Sequence, residues 1–165
     1  MNRLFSILLA LCLLPVNILS GTEALPVWGG FGRRDNVYSC AETDERIVAL
    51  TFDDGPHPRF TDEILDILEK YSVKATFFVI GRNAESYRGK LKRIAESGHE
   101  IGNHTYSHVT AGKTNAENFA LELKKTHEII KKITGTEPVL FRPPTGYCNT
   151  VAVKSAAEMN YKIIV

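Results

Sequence analysis

The sequence predicts an α/β fold in which strands alternate with helices around a parallel sheet, either open or curled into a barrel. Two observations predict this class. Short runs rich in β-branched and aromatic residues recur along residues 46–165, and stretches with apolar residues at helical spacing separate them. Strands joined in this way pair in parallel through right-handed crossovers. With 165 residues, 44% of them hydrophobic and 24% charged, the chain is long enough for one domain with a sizeable core.

The elements are predicted in the following order. Residues 47–52 predict a short buried strand that delivers Asp53 and Asp54 to a turn closed by Gly55 and Pro56. Thr61 is the predicted N-cap of a helix that ends near Lys70. Further strands are predicted at 74–80, 99–103, 139–141 and 162–165, and further helices around 91–95 before Gly98, from a Thr114–Glu117 capping box to Gly135, and over 151–159.

The first 24 residues are predicted to be a signal peptide. Arg3 precedes an apolar run, residues 4–14, that Pro15 interrupts. A membrane-spanning helix needs about 20 apolar residues, so export with cleavage near Ala24 is favoured over anchoring, and no stable membrane span is expected afterwards. Residues 25–45 show no periodicity and are predicted to be a lead-in segment to a domain at 46–165.

Charge and cysteine content give no indication of nucleic-acid binding or of a cysteine metal site. The formal net charge is +1 and the lysines lie along helical stretches, so no nucleic-acid partner is indicated. Removal of the signal peptide leaves Cys40 and Cys148, which could form one disulfide in an exported protein; the sequence alone leaves this open. Neither has the Cys-x-x-Cys or Cys-His spacing of a metal site.

The adjacent carboxylates Asp53 and Asp54 are the first candidate site. They follow a predicted strand, and ligands of α/β proteins collect at the carboxyl ends of strands. Successive side chains of an extended segment point in opposite directions, so one aspartate could hold a cation while the other handles a proton. Asp-Asp-Gly-Pro is also ordinary turn chemistry, so this motif needs support from elsewhere in the chain.

His104 and His108 supply that support after the third predicted domain strand. On a helical turn a spacing of four places both imidazoles on one face, close enough to bind one cation. Two histidines and one aspartate leave an open position for water, as in a catalytic zinc site, and zinc lowers the pKa of bound water to roughly 7. The second aspartate could then accept the water's proton. The same donor set also suits Fe(II).

Arg142, Pro143, Pro144, Thr145 and Gly146 follow the fourth predicted domain strand. Arg142 beside a carboxylate would hold it ionised and oriented, and the loop's backbone N–H groups could face an oxyanion. An ordinary surface arginine before a proline-rich turn explains this segment equally well.

Three motifs in this order and spacing resemble those of the NodB-type polysaccharide deacetylases, carbohydrate esterase family four: TFDDGP at 51–56, HTYSH at 104–108 and RPP at 142–144. The resemblance covers roughly residues 47–165. It implies a distorted (β/α) barrel and metal-dependent removal of N-acetyl groups, sometimes O-acetyl groups, from sugars. Zinc is the implied metal, with cobalt or another divalent ion as a substitute.

The resemblance also implies roles for individual residues. Asp53 matches the catalytic base, and Arg142 matches the residue that tethers it. Thr145 stands where the family often has an aromatic or other residue whose backbone N–H helps to stabilise the oxyanion; a backbone donor survives a change of side chain. The matching metal ligands are Asp54, His104 and His108.

The family's fourth and fifth motifs, an acidic-Trp segment and a leucine-x-histidine that supplies the general acid, are absent from the sequence. We therefore expect a barrel that is incomplete at the C-terminus of a truncated chain. Loss of a general acid removes a contribution typically worth about 10²- to 10⁴-fold in rate.

The sequence thus predicts a secreted or cell-envelope deacetylase that acts on N-acetylglucosamine polymers such as peptidoglycan or chitin. The alternative is a truncated, non-catalytic envelope protein that binds metal or glycan. A phospho-receiver module also carries paired acids after a first strand, but the signal peptide and the histidine pair argue against that class.

Overall fold

The computed structural model describes residues 36–40, 44 and 46–165, so the predicted signal peptide and most of the lead-in lie outside the described residues. The strands are β1 (Val37–Tyr38), β2 (Thr51–Gly55), β3 (Thr76–Val79), β4 (Glu100–Asn103), β5 (Leu140–Phe141) and β6 (Lys162–Ile164). The helices are α1 (Phe60–Lys70), α2 (Gly81–Ser86), α3 (Arg88–Glu96), α4 (Ala116–Thr134) and α5 (Thr150–Glu158), and a 3-10 turn covers Pro144–Gly146.

The strands form one parallel sheet in the order β1-β6-β5-β4-β3-β2, which confirms the predicted α/β class. Within the described part of the chain, β1 and β2 are the outer strands and do not pair with each other, so the barrel is not closed. Because all strands run in one direction, their carboxyl ends meet at one edge of the sheet. That edge is where a ligand site is expected.

The first predicted domain strand is shorter and more exposed than its sequence indicated. β2 begins at Thr51, and Ile47, Val48 and Leu50 before it are 63%, 77% and 44% exposed. Among the described strands β2 pairs only with β3, so no neighbouring strand covers its other side. The prediction of a buried strand at 47–52 was therefore wrong, because an edge position leaves β-forming residues exposed.

The predicted N-cap of α1 was also wrong. Arg59 is the N-cap residue, and Thr61 lies inside the first turn, where its hydroxyl accepts a hydrogen bond from the His57 amide at 2.8 Å. Thr61 thus serves an amide that precedes the helix, which fixes the turn leading into α1. The end of α1 at Lys70 is as predicted.

At α4 the cap is displaced by one residue. Asn115 caps this helix through a hydrogen bond from the Asn118 amide at 2.8 Å, in place of the predicted Thr114. Both residue types are good caps, so their order along the chain does not distinguish them. Gly135 ends α4 in the left-handed conformation (φ 76°), as predicted.

Two elements have no counterpart in the sequence prediction. β1 lies in the predicted lead-in and pairs in parallel with β6, where Val37 is opposite Ile163. α2 follows β3 directly, and Gly81, predicted to end that strand, is its first residue.

The buried apolar side chains form two clusters. The first gathers residues of α1, α3, β3 and β4, including Leu65, Phe77 and Ile94. The second packs α4 and α5 on β5 and β6, with Cys148 inside it. Cys40 is exposed with a free thiol, so no disulfide joins it to Cys148. None of the helices described has the length and apolar character needed to cross a membrane.

Candidate metal and catalytic site

The residues singled out in the three sequence motifs meet at the carboxyl edge of the sheet. Asp53 and Asp54 lie near the C-terminal end of β2. His104 directly follows β4, and Arg142 directly follows β5. His108 reaches the same place from the loop between β4 and α4. Segments that are about 40 to 50 residues apart in sequence are brought together because parallel pairing aligns the ends of β2, β4 and β5.

Asp54, His104 and His108 form a compact cluster of potential metal ligands. One donor atom from each lies within 4.8 Å of the others. Asp54 Oδ1 is 3.5 Å from His104 Nε2 and 3.2 Å from His108 Nε2, and the two rings are 5.0 Å apart. Two imidazole nitrogens and one carboxylate oxygen fit a divalent ion such as zinc and leave further coordination positions open.

The histidines are not on a helical turn as their spacing suggested. Residues 104–110 form a loop, and Thr105 and His108 have positive φ values of 63° and 64°. Non-glycine residues in this conformation cannot continue a right-handed helix. The prediction that the two rings lie close together is therefore confirmed. The predicted helical turn was wrong, because a loop brings the rings together.

A β-bulge separates the two aspartates. The register between β2 and β3 shifts between Asp53 and Gly55, and Asp54 adopts φ 68°. Asp53 therefore turns toward Arg142 while Asp54 turns toward the histidines. The two carboxylates therefore have different partners, as expected. The cause is the bulge at Asp54 and not simple alternation along a strand.

Backbone contact fixes the ring of His104. Its Nδ1 lies 2.7 Å from the carbonyl oxygen of Arg142, and because a carbonyl only accepts, Nδ1 must carry the proton. Nε2 then presents its lone pair to the cluster, the arrangement typical of metal-binding histidines. The side chain is 2% exposed, and this burial lowers the pKa of His104. Burial therefore favours the neutral ring, which is the form that binds a metal.

Arg142 holds Asp53 from the neighbouring segment. Its Nη1 donates to Asp53 Oδ1 at 2.8 Å and to the Thr51 hydroxyl at 2.9 Å, and its guanidinium lies 4.2 Å from the Phe78 ring centroid. Arg142 thus contacts both halves of the site, with its side chain on Asp53 and its carbonyl on His104.

The loop after Arg142 contains one backbone N–H group that is a candidate oxyanion donor. Pro143 and Pro144 are buried and have no N–H, and the Gly146 amide donates to the Pro143 carbonyl at 3.0 Å. Thr145 is exposed in a left-handed conformation with φ 61°. Among the four predicted loop residues, Thr145 is therefore the candidate for a backbone oxyanion donor.

Residues 41–164 match the family model described as polysaccharide deacetylase. The chain belongs to this family. The peptidoglycan-N-acetylglucosamine deacetylase of Bacillus cereus is 48% identical over 117 residues, which cover 71% of this chain and 42% of that protein. The crystal structure of the Bc1960 peptidoglycan N-acetylglucosamine deacetylase matches with a TM-score of 0.73 at 44% identity, covering 78% of this chain and 59% of that one.

Two further structures extend the comparison within the polysaccharide deacetylase family. A family 4 acetyl xylan esterase from Clostridium thermocellum, solved with a cobalt ion, matches with a TM-score of 0.62 at 39% identity, over 65% of this chain and 53% of that one. BA3943 from Bacillus anthracis, a CE4 family pseudoenzyme, matches with a TM-score of 0.74 at 29% identity, over 78% and 46%. The chain thus spans about half the length of these relatives.

Several residues that support this deacetylase-family site have no signal of their own in the sequence. The Asn103 side chain, fully buried, accepts from the Thr105 amide at 2.9 Å and donates to the Leu123 carbonyl and the Tyr161 hydroxyl. Asn103 directly precedes the histidine motif, and this position is the sequence feature that could have identified it as a supporting residue.

Glu122 of α4 clamps the middle of the histidine loop. Its two oxygens accept from the Ser107 amide at 2.7 Å and from the Ser107 hydroxyl at 3.0 Å. The loop hydroxyl of Thr105 is buried without a hydrogen-bond partner among the described residues. Nothing near Glu122 in sequence identifies this contact, because it depends on how α4 packs.

Proposed function

We propose that this chain is an exported, metal-dependent polysaccharide deacetylase that hydrolyses N-acetyl groups of N-acetylglucosamine polymers. The observation that carries the proposal is the juxtaposition of a three-donor metal cluster with an aspartate held by arginine. Both lie at the sheet edge where an α/β protein binds its ligands. The chain spans only part of the length of its relatives, so the deacetylase activity of the whole protein is also proposed here.

Asp54, His104 and His108 would hold the divalent ion, zinc in the first instance and cobalt as a substitute. A bound divalent ion supplies Lewis acidity that polarises an oxygen of the substrate or of water. The cluster's mixture of nitrogen and oxygen donors suits zinc, and the structure of a relative with cobalt supports a divalent ion in this family.

Asp53 would act as the general base. Its carboxylate is 38% exposed, so it can contact a water molecule that attacks the acetyl carbon. The hydrogen bond from Arg142 fixes the carboxylate's orientation while the free oxygen accepts the proton. General-base catalysis of this type typically contributes about 10²- to 10⁴-fold in rate.

The Thr145 amide would stabilise the negative charge that develops on the acetyl oxygen. It belongs to a turn anchored by two buried prolines and by the Gly146–Pro143 hydrogen bond. A donor fixed before the reaction needs no reorganisation when charge develops, which is the basis of oxyanion stabilisation. The donor is a backbone group, so the threonine side chain does not affect this role.

The proposed substrate is peptidoglycan, with chitin-like polymers as the second choice. The curated relative from Bacillus cereus and the Bc1960 structure are both peptidoglycan N-acetylglucosamine deacetylases by name, which supports a cell-wall substrate. Together with the predicted signal peptide at residues 1–24, this supports a secreted or cell-envelope location.

The test is acetate release from N-acetylglucosamine oligomers and from peptidoglycan, with zinc added and then removed by a chelator. We expect zinc-dependent release that Asp54→Ala abolishes together with zinc binding. Asp53→Asn should abolish release while zinc still binds, because this residue is not a ligand. Zinc-independent release, or release unaffected by Asp53→Asn, would contradict the proposal.

A second candidate is a non-catalytic protein that binds metal or glycan. The observation that favours it is the likeness to BA3943, a pseudoenzyme with the same fold. The same experiment separates the two, because a binding protein would take up zinc and release no acetate from either substrate.

A further inference from the structure

The first turn of α2 lies between the two segments that supply the metal cluster. The Gly81 amide donates to the Thr105 carbonyl at 2.9 Å, and the Arg82 amide donates to the Tyr106 carbonyl at 3.0 Å. Amides in the first turn of a helix have no partner within the helix, so these two are available for the loop. The loop that carries His104 and His108 is thereby attached to α2.

The other segment is attached to the same turn by a side chain. Asn83 Nδ2 donates to the backbone carbonyl of Asp54 at 2.8 Å. Asp54 is the bulged, left-handed residue of β2, a conformation that is sterically unfavourable for a residue with a side chain. A bulge also takes a residue out of the regular ladder, so its carbonyl needs a partner from outside the sheet.

Asn83 is itself held firmly. Its amide donates to the Ile80 carbonyl at 3.0 Å, and its carbonyl accepts from the Tyr87 amide at 2.8 Å. A Cβ at Gly81 would lie 2.4 Å from Thr126 Oγ1 and 2.8 Å from the Tyr106 ring. The turn is therefore packed tightly against α4 and the histidine loop, with no space for a larger residue at Gly81.

We propose that Asn83 is a positioning residue for Asp54. By holding the carbonyl of the bulged residue, it keeps the Asp54 carboxylate directed at the two imidazoles, while Gly81 and Arg82 hold the histidine loop at the matching place. The inference rests on the proposed metal site and adds to it the element that sets the distance between its two halves.

The test is a Co²⁺ titration of the full chain and of Asn83→Leu, which has a similar size and branching but no amide. Loss of a group that orients a ligand typically costs about 10- to 100-fold in metal affinity, so we expect at least a tenfold loss. The visible absorption of bound Co²⁺, which reports coordination geometry, should also change. Asn83→Ala is the second variant, with the same expectation.

Thr134→Val is the matched control. The Thr134 hydroxyl donates to the Ile130 carbonyl at 2.9 Å and accepts from the Thr136 amide, at the end of α4 away from the histidine loop. This variant also loses side-chain hydrogen bonds to the backbone, so it should lower the thermal unfolding temperature and leave Co²⁺ affinity and spectrum unchanged. The unfolding temperatures of the metal-free proteins show whether each variant is folded.

Three outcomes decide the matter. Weaker binding and an altered spectrum in folded Asn83→Leu or Asn83→Ala, with an unchanged control, support the role. Binding and spectrum equal to those of the unmodified chain, while Asp54→Ala loses binding, overturn the role of Asn83 and leave the metal site intact. Failure of the unmodified chain to bind Co²⁺ overturns both this inference and the proposed function.

Discussion

Two buried imidazoles stand at opposite ends of β4, His99 immediately before the strand and His104 immediately after it. They are 9% and 2% exposed, and burial lowers the pKa of both rings below 6.5. They differ in the partner of Nδ1. In His99 this atom accepts a hydrogen bond from the Ala75 amide at 3.2 Å, whereas in His104 it faces the Arg142 carbonyl at 2.7 Å.

The partners impose opposite tautomers. The proton of neutral His99 is on Nε2, because Nδ1 must accept, and the proton of His104 is on Nδ1, because it must donate. Only His104 therefore presents an Nε2 lone pair to a cation. Burial and pKa do not separate the proposed metal ligand His104 from the structural histidine His99, but the backbone group beside each ring does.

The largest expected effect is on metal affinity. His104→Ala removes one of three donors, so Co²⁺ affinity should fall by about 100-fold or more, beyond the usual effect of losing an orienting group. His99→Ala should leave affinity within about twofold, because its ring lies at the opposite end of β4. Metal titration of both variants measures this; equal losses would show that the tautomer assignment does not select the ligand.

A second variant tests the residue that delivers His104 into the site. Asn103→Leu leaves the buried Thr105 amide without its acceptor, and an unsatisfied buried group costs about 1–3 kcal/mol. We expect urea unfolding of the metal-free protein to show a loss of about 2 kcal/mol. Asn115→Ala, which removes an exposed helix cap, should cost about 1 kcal/mol. A smaller loss for Asn103→Leu than for this control would contradict the importance of the buried network.

Arg142→Lys separates the two contacts of one residue. The backbone carbonyl that orients His104 is kept, while the planar donor that joins Asp53 and Thr51 is lost. Acetate release should fall about tenfold with unchanged Co²⁺ affinity, because the metal-binding half keeps its partner. A parallel fall in affinity would mean that the side chain, not the carbonyl, supports His104.

The contrast between His99 and His104 shows what the sequence could and could not predict. Both histidines bracket the same predicted strand, and the motif spacing of residues 104–108 selected the one that lies in the cluster. The motif residues were found because they follow strands, and parallel pairing brings strand ends together. The tautomers were not predictable, since they depend on the Ala75 amide and the Arg142 carbonyl, 24 and 38 residues away.

The same limit applies to backbone geometry. Asp54 and His108 occupy left-handed conformations, which are uncommon for any residue other than glycine, so the sequence pattern pointed to a plain strand end and a helical turn. Contacts from Asn83 and Glu122 accompany these conformations, and such long-range hydrogen bonds leave no periodic pattern in the sequence. The prediction was therefore better for which residues meet than for how the backbone brings them together.

The smallest expected effect is the contribution of His99 to the pH dependence of stability. Burial, followed by the charge of Lys74, lowers the folded-state pKa of His99 below the 6.5 of an unfolded chain. The folded protein therefore binds fewer protons than the unfolded chain at mildly acidic pH. The stability contribution of neutral His99 is complete above pH 6.5 and is lost as pH falls through the folded-state pKa.

His99→Asn keeps an acceptor for the Ala75 amide and does not titrate. As the pH falls from 6.5 to 5, its free energy of unfolding should decline less than that of the unmodified chain, because the folded chain resists the proton that His99 takes up on unfolding. Urea unfolding across this range, with chelator present so that metal binding does not contribute, measures the difference. Any constant loss from imperfect packing shifts the whole curve without changing its slope. Parallel curves would mean that His99 is protonated as readily in the folded state as in the unfolded one, and the two imidazoles would then differ in more than their tautomers.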